Sequence, residues 1–87
     1  MARRDKTERL LNLVFAMMST RRAISRSDIR ENVAGYEDAR SDEAFERMFE
    51  RDKDELRSMG LPIDTVSDSL GEVLGYRISP SEYEFVD

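Results

Sequence analysis

Apolar residues recur at helical spacing near the start of the chain. Two sets share the spacing i, i+4 and i+7, the second set one position behind the first: Leu10, Val14 and Met17, then Leu11, Phe15 and Met18. Asp5, followed three residues later by Glu8, fits an N-terminal cap in front of this pattern. The spacing predicts a helix over residues 6–19 whose wide apolar face packs against several neighbours.

A second, shorter helix is predicted from its start signals. Ser25 can cap this helix by accepting a hydrogen bond from the backbone N–H of Asp28. Ile24 before the cap and Ile29 inside the helix have the spacing of a hydrophobic staple. We expect the helix to run to about residue 33, because a glycine two positions further on favours its end.

A longer helix is predicted after a polar connection over residues 36–41. Ser41 is its expected cap and Gly60 its expected stop, which gives a helix over residues 42–59. The apolar residues of this helix lie on one face: Phe45, Met48, Phe49, Leu56 and Met59. Four methionines of the two longer helices fit core positions: Met17, Met18, Met48 and Met59.

Three polar side chains of the third helix are informative. At about 100° per residue, Arg47 and Arg51 project opposite the apolar face, one turn apart, so we expect both to face solvent. Asp52 falls in the middle of the apolar face, where a carboxylate needs hydrogen-bond donors. We expect those donors to be an arginine or backbone N–H groups at the start of a neighbouring helix. Asp52 is therefore predicted to be structural, not catalytic.

The hydrophobic period changes after Pro62. Residues 63–66 and residues 76–78 alternate as two short strands. The segment between them is polar, contains glycine and holds acidic residues but no Lys or Arg from residue 67 to residue 72. This pattern predicts a β-hairpin with a long, acidic tip.

The order of the elements predicts the fold. A short helix followed by a longer one is typical of a helix-turn-helix, and a hairpin directly after the longer helix favours the winged form. We predict an α+β fold, a winged helix-turn-helix of three helices followed by a two-stranded β-hairpin wing. It forms one domain over residues 1–87, with residues 79–87 as a tail or the start of a linker. Tyr83 and Phe85 in that tail are candidates for docking on the first helix, on a partner or on a further domain.

Composition narrows the function classes. The chain has neither Cys nor His, so neither thiol chemistry nor a zinc site is expected. No apolar run approaches the roughly 20 residues that span a bilayer, and the N-terminus lacks a signal-peptide pattern. No nucleophile–base pair suggests an enzyme. We expect a cytoplasmic protein without metal or cofactor.

Charge is distributed unevenly along the chain. The net charge of −5 opposes nucleic-acid binding, because phosphate contacts favour basic surfaces. Residues 1–36, however, hold eight basic and four acidic side chains, whereas residues 37–87 hold six basic and fifteen acidic ones. The basic first part can therefore still face DNA.

Four segments together resemble one protein family. Residues 41–57, SDEAFERMFERDKDELR, and residues 60–63, GLPI, resemble the recognition helix and wing start of WYL-domain transcription regulators, above all those of the PafB/PafC type. Residues 6–14, KTERLLNLV, and residues 75–78, GYRI, resemble the first helix and second wing strand of that family. The similarity covers almost the whole chain.

This resemblance implies a bacterial DNA-binding regulator that is linked to the DNA-damage response. The partners it implies are double-stranded DNA, a homo- or heterodimer partner of the same family, and RNA polymerase. Such regulators usually continue into a ligand-sensing WYL domain. Because this chain stops at Asp87 and has no Trp, we expect an excised DNA-binding domain, with a stand-alone relative as the alternative.

Two groups of side chains are expected to contact DNA. On the third helix, Arg47 and Arg51 would contact guanine edges or phosphates, and Ser41 and Ala44 would approach the DNA backbone or a thymine methyl. Arginines around the second helix and at the wing base would contact phosphates: Arg21, Arg22, Arg26, Arg30 and Arg77. A solvated surface is the alternative at each position. For the whole domain the alternative is a winged helix that binds only protein, for dimerisation or contact with RNA polymerase.

Overall fold

A computed structural model of the chain describes residues 5–20 and residues 22–78. In chain order it contains three helices and two strands: α1 (Lys6–Ser19), α2 (Arg26–Asn32), α3 (Asp42–Ser58), β1 (Ile63–Ser67) and β2 (Val73–Ile78). The strands pair antiparallel as a hairpin. This is the α+β layout of a winged helix, which confirms the predicted fold. The predictions for Arg21, Tyr83 and Phe85 lie outside the described residues.

Each helix begins at its predicted cap. A side-chain oxygen accepts a hydrogen bond from the backbone N–H three residues later in each case: Asp5 from Glu8 at 2.9 Å, Ser25 from Asp28 at 3.1 Å, and Ser41 from Ala44 at 3.0 Å. Such a cap satisfies an otherwise unpaired donor of the first turn and is worth about 1 kcal/mol. At the other end of α3, Gly60 has a φ of 99°, a left-handed conformation that ends the helix where predicted.

β2 begins earlier than predicted, at Val73, because its pairing with β1 continues past Val66. A register shift after Val66 lets Ser67 pair with Val73. A third backbone segment joins the hairpin, since Ile24 and Tyr76 each donate an N–H to the carbonyl of the other at 2.9 Å. β2 is thus paired on both edges, with β1 on one side and the α1–α2 link on the other.

Gly75 lies where β2 passes the α1–α2 link. A Cβ at this position would stand 2.6 Å from the carbonyl oxygen of Ile24 and 3.1 Å from the Cβ of Ala23. The first contact is with backbone and cannot be relieved by a side-chain rotation. β2 can therefore approach the α1–α2 link this closely because Gly75 has no side chain.

The core draws on all five elements and on the α2–α3 link. Its buried apolar residues are Leu10, Leu13, Met17, Ile29, Val33, Tyr36, Phe45, Phe49, Leu56, Ile63, Tyr76 and Ile78. Tyr36 lies in the predicted connection, but its burial was not predicted: its ring packs edge-on against Phe45, with the ring centres 5.1 Å apart. A single aromatic residue in a polar segment has no periodicity that could reveal its burial.

The apolar face of α1 is narrower than predicted. Three residues expected to pack are exposed: Leu11 at 55%, Phe15 at 66% and Met18 at 48%. α1 packs against the domain from one side only, and no described element covers these side chains. Met59 was also expected in the core and is exposed, because α3 ends at Ser58 and the chain turns away at Gly60.

Candidate nucleic-acid interface

The buried carboxylate of Asp52 fixes α3 to the rest of the domain. Arg9 on α1 donates to it from Nε at 2.7 Å and from Nη2 at 2.8 Å, and the hydroxyl of Tyr36 donates at 2.6 Å. The hydrogen bond with Asp52 raises the pKa of Arg9, while burial, with the same carboxylate, raises the pKa of Tyr36. Arg9 therefore stays charged and Tyr36 neutral across the physiological range. The structural role predicted for Asp52, with an arginine partner, is confirmed; the tyrosine was missed.

A second buried contact, also missed, involves the ammonium group of Lys53. Its Nζ lies 4.3 Å from the ring centre of Tyr76 and 4.8 Å from that of Phe49, where the aromatic faces attract a cation. The carboxylate of Glu50 lies 3.0 Å from the same Nζ. The spacing of Phe49, Lys53 and Leu56 at i, i+4 and i+7 was the signal that could have placed Lys53 on the inner face. Asp52 and Lys53 together hold α3 against α1 and β2.

The opposite side of α3 is exposed, and the prediction that Arg47 and Arg51 face solvent is confirmed. The two arginines line a shallow groove together with four acidic side chains: Glu43, Glu46, Glu50 and Asp54. Three of these acids stand three or four positions from an arginine, the spacing at which opposite charges on a helix attract. The outer face thus presents two guanidinium groups within an acidic rim.

Ser41 and Ala44 lie at the start of this outer face. The Oγ of Ser41 accepts the capping hydrogen bond, which leaves its hydroxyl hydrogen free to be donated outward. Ala44 is half-buried and stands one turn before Arg47. At about 100° per residue, Ala44, Arg47 and Arg51 point in similar directions. The structure therefore brings the predicted residues of α3 onto one side of that helix.

The arginines of α2 are placed next to α3, but each has an acidic partner there. Arg26 donates to Glu46 and Arg30 donates to Asp42, both across the gap between the two helices. These side chains line a groove of about 760 Å³ between α2, the first turns of α3 and the start of β2. Arg22 is exposed on the α1–α2 link. Arg26 and Arg30 are thus close to the predicted recognition helix. In the free domain, acidic side chains of α3 neutralise their charges.

The wing contributes little positive charge. Arg77 is half-buried on β2, opposite Asp64 on β1, and therefore at the base of the hairpin. At the tip, Oδ1 of Asp68 accepts the backbone N–H groups of Leu70 and Glu72, both at 2.9 Å. Asp68 thus shapes the tip, a role that the sequence analysis did not assign to it.

The described part of the chain has neither a candidate metal site nor a candidate membrane span. Within residues 5–20 and 22–78, acidic side chains form no cluster of three or more that could hold a metal ion. In the same residues no helix is long and apolar enough to cross a membrane.

Several known proteins are similar in sequence to the chain. No family model matches it, but proteins named PafB match it over 80 residues, 91% of the chain. Those of Mycobacterium tuberculosis and Mycobacterium bovis are 53% identical to it, and that of Mycobacterium leprae is 51% identical. Over most of its length the chain is therefore similar to a part of the proteins named PafB. The resemblance to PafB/PafC-type regulators is thereby confirmed. The chain spans about a quarter of the length of these relatives, 24% in each.

Proposed function

We propose that this domain is the sequence-specific DNA-binding module of a bacterial transcription regulator, and that it places α3 in the major groove. The observation that carries the proposal is the pair Arg47 and Arg51, exposed one turn apart on a helix whose inner side is held by Asp52 and Lys53. A rigid helix that presents two guanidinium forks suits bidentate contact with O6 and N7 of guanine.

The remaining predicted contacts take supporting roles in this proposal. Ser41 donates its hydroxyl to a phosphate, and Ala44 leaves room for the DNA backbone or a thymine methyl. Phosphate contacts from the arginines near α2 and at the wing base fix the orientation of the domain. These are Arg21, Arg22, Arg26, Arg30 and Arg77.

The wider setting follows from the family resemblance and is part of the same proposal. Residues 1–87 act as one DNA-binding unit without enzymatic activity, in a cytoplasmic regulator of the DNA-damage response. Its further partners are RNA polymerase and a second, related regulator in a homo- or heterodimer. Two such domains side by side would read two half-sites and gain affinity from the pairing.

Two observations favour a second candidate function, a winged helix that binds only protein. Carboxylates surround Arg47 and Arg51, and the net charge of the chain is −5. Both features repel phosphates and suit a basic protein surface instead. In this alternative the domain serves for dimerisation or for contact with RNA polymerase.

Selection of bound sequences from a pool of random duplexes separates the two candidates. The DNA-binding proposal expects an enriched motif that is lost when Arg47 and Arg51 are both replaced by Ala. Lys6→Ala, which removes a positive charge from α1 beside Glu55, is the control and should leave the motif intact. Failure to enrich any sequence, together with retention of the domain on immobilised RNA polymerase, would support the protein-only alternative.

A further inference from the structure

The ion pairs between α2 and α3 affect how the domain can bind an anion. Arg26 with Glu46 and Arg30 with Asp42 form two parallel bridges across one groove. Both pairs are open to solvent, since the side chain of Glu46 is 51% exposed and that of Asp42 is 95% exposed. Exposed ion pairs contribute little to stability, so a phosphate can displace either carboxylate at small cost to the fold.

Of the two acids, Glu46 alone lies between the two groups of arginines. It lines the groove that holds Arg26 and Arg30, and it also lines the shallow groove of Arg47 on the outer face of α3. A polyanion that contacts both groups of arginines must therefore pass over Glu46. There the polyanion meets the carboxylate of Glu46, which is already paired with Arg26.

We propose that Asp42 and Glu46 compete with phosphates for Arg30 and Arg26, and that they lower the affinity of the domain for arbitrary DNA sequences. Non-specific binding depends almost wholly on phosphate contacts, so this competition reduces it strongly. Specific binding loses proportionally less, because base contacts from α3 add to its free energy. The two acids are thus specificity-determining residues. The inference rests on the proposed function and deepens it.

The main test compares Glu46→Gln with Glu43→Gln. Both variants remove one exposed charge from the first turns of α3, but among the described residues Glu43 is paired with neither Arg26 nor Arg30. Affinity for a random-sequence duplex is measured by fluorescence anisotropy at several salt concentrations. Glu46→Gln should tighten binding about two- to fivefold, the range expected when an exposed ion pair is removed. It should also add about one released counterion to the salt dependence.

Two further variants show whether the gain in affinity comes from the release of an arginine. In the double variant Arg26→Gln/Glu46→Gln the gain should vanish, because no arginine is released. Asp42→Asn should reproduce the effect through Arg30, which provides an independent pair if Glu46→Gln alters folding. A gain equal to that of Glu43→Gln, no gain at all, or weaker binding would overturn the proposal, since the acids would then act as general charges or as supports for the arginines.

Heparin, a polyanion without base sequence, separates this proposal from the proposed function. If Glu46→Gln tightens heparin binding while no duplex is bound by any variant, the competition is real and the DNA-binding function is wrong. If duplexes are bound with a sequence preference and Glu46→Gln changes neither the heparin nor the random-duplex affinity, the function stands and the competition is wrong.

Discussion

The carboxylate of Asp52 connects parts of the chain that are far apart in sequence. Its two oxygens accept three hydrogen bonds, from Arg9 at the start of α1 and from Tyr36 in the α2–α3 link. Removal of the carboxylate would leave a largely buried guanidinium without its bidentate partner, a loss that costs more than a neutral hydrogen bond. Asp52 therefore positions α3 through contacts on its buried side, whereas the proposed DNA contacts lie on its exposed side.

Asp52→Ala should lower the free energy of unfolding by about 2–4 kcal/mol, because it breaks a mostly buried, hydrogen-bonded ion pair. Asp54→Ala, on the exposed side of the same helix, is the control and should change it by less than about 0.5 kcal/mol. Denaturant unfolding followed by circular dichroism measures both. A midpoint for Asp52→Ala equal to that of Asp54→Ala would show that the network does not stabilise α3.

Tyr36→Phe separates the hydroxyl of Tyr36 from its ring. The variant keeps the edge-on packing against Phe45 and removes one donor to Asp52, which still accepts from Arg9. We expect a loss of about 1–2 kcal/mol, smaller than that of Asp52→Ala. A loss as large as that of Asp52→Ala in the same unfolding experiment would mean that Arg9 alone cannot satisfy the carboxylate.

Sequence alone predicted that Asp52 is buried and accepts hydrogen bonds from an arginine or from backbone N–H groups, because a carboxylate on an apolar face needs a donor. It could not identify Arg9, since contacts between residues 43 positions apart leave no local pattern. The inward position of Lys53 could have been predicted, because helical spacing places this residue on the apolar face of α3. The pairing of Arg26 and Arg30 with acids on α3 depends on how two helices pack, which no single-sequence pattern contains.

At the scale of elements, the two sides of α1 differ in what covers them. The buried side is formed by Leu10, Leu13 and Met17, while Leu11, Phe15 and Met18 remain exposed. Periodicity placed both sets correctly on a helix, but periodicity cannot tell how many neighbours a helix has. The start of each helix and the end of α3 were better determined, because capping side chains and the positive-φ Gly60 act within a few residues.

Leu13→Ala and Phe15→Ala test this division of α1. Leu13 is fully buried, so its truncation should cost about 2–5 kcal/mol through lost burial and an internal cavity. Phe15 is mostly exposed, so its truncation should cost less than about 1 kcal/mol. Thermal unfolding of the two variants gives the comparison, and a Phe15→Ala loss that approaches the Leu13→Ala loss would contradict the exposed position of the ring.

Gly75→Ala tests how the wing docks on the helices. The added methyl group would collide with the carbonyl oxygen of Ile24, which itself bonds to Tyr76, so β2 or the link must shift. We expect a loss of about 1–3 kcal/mol, typical of overpacking. Val73→Ala, at an exposed position of the same strand, is the control. Equal melting temperatures for Gly75→Ala and the unmodified chain would show that the close approach is absent in solution.

At the scale of the whole molecule, charge limits how this domain can bind DNA. The chain carries a net charge of −5, Arg26 and Arg30 have acidic partners, and the wing tip has no basic residue. Few phosphates can then be neutralised, so an isolated domain should bind weakly and with a shallow salt dependence, with about three to five counterions released. Nanomolar binding with a steep salt dependence would contradict this view.

A substitution at the wing tip can test how charge there affects DNA binding without disturbing the fold. Asp68 accepts two backbone N–H groups, so its replacement would open the tip as well as change its charge. Glu72→Lys is the cleaner variant and should tighten binding to every duplex, because it adds a cation without removing that support. Anisotropy titrations with specific and random duplexes measure the effect, and unchanged affinities would indicate that the tip stays away from DNA.

The proposed function requires that Arg47 and Arg51 contact DNA from the exposed side of a rigidly held α3. The most direct measurement is the affinity of the unmodified chain and of the variants Arg47→Ala, Arg51→Ala and the double variant for a duplex obtained by selection. Each single substitution should weaken binding by about 1–3 kcal/mol if the arginine contacts a base bidentately, with matched loss of preference at one position of the site. An affinity for the selected duplex that is unchanged in the double variant, with its fold verified by circular dichroism, would contradict the proposed function.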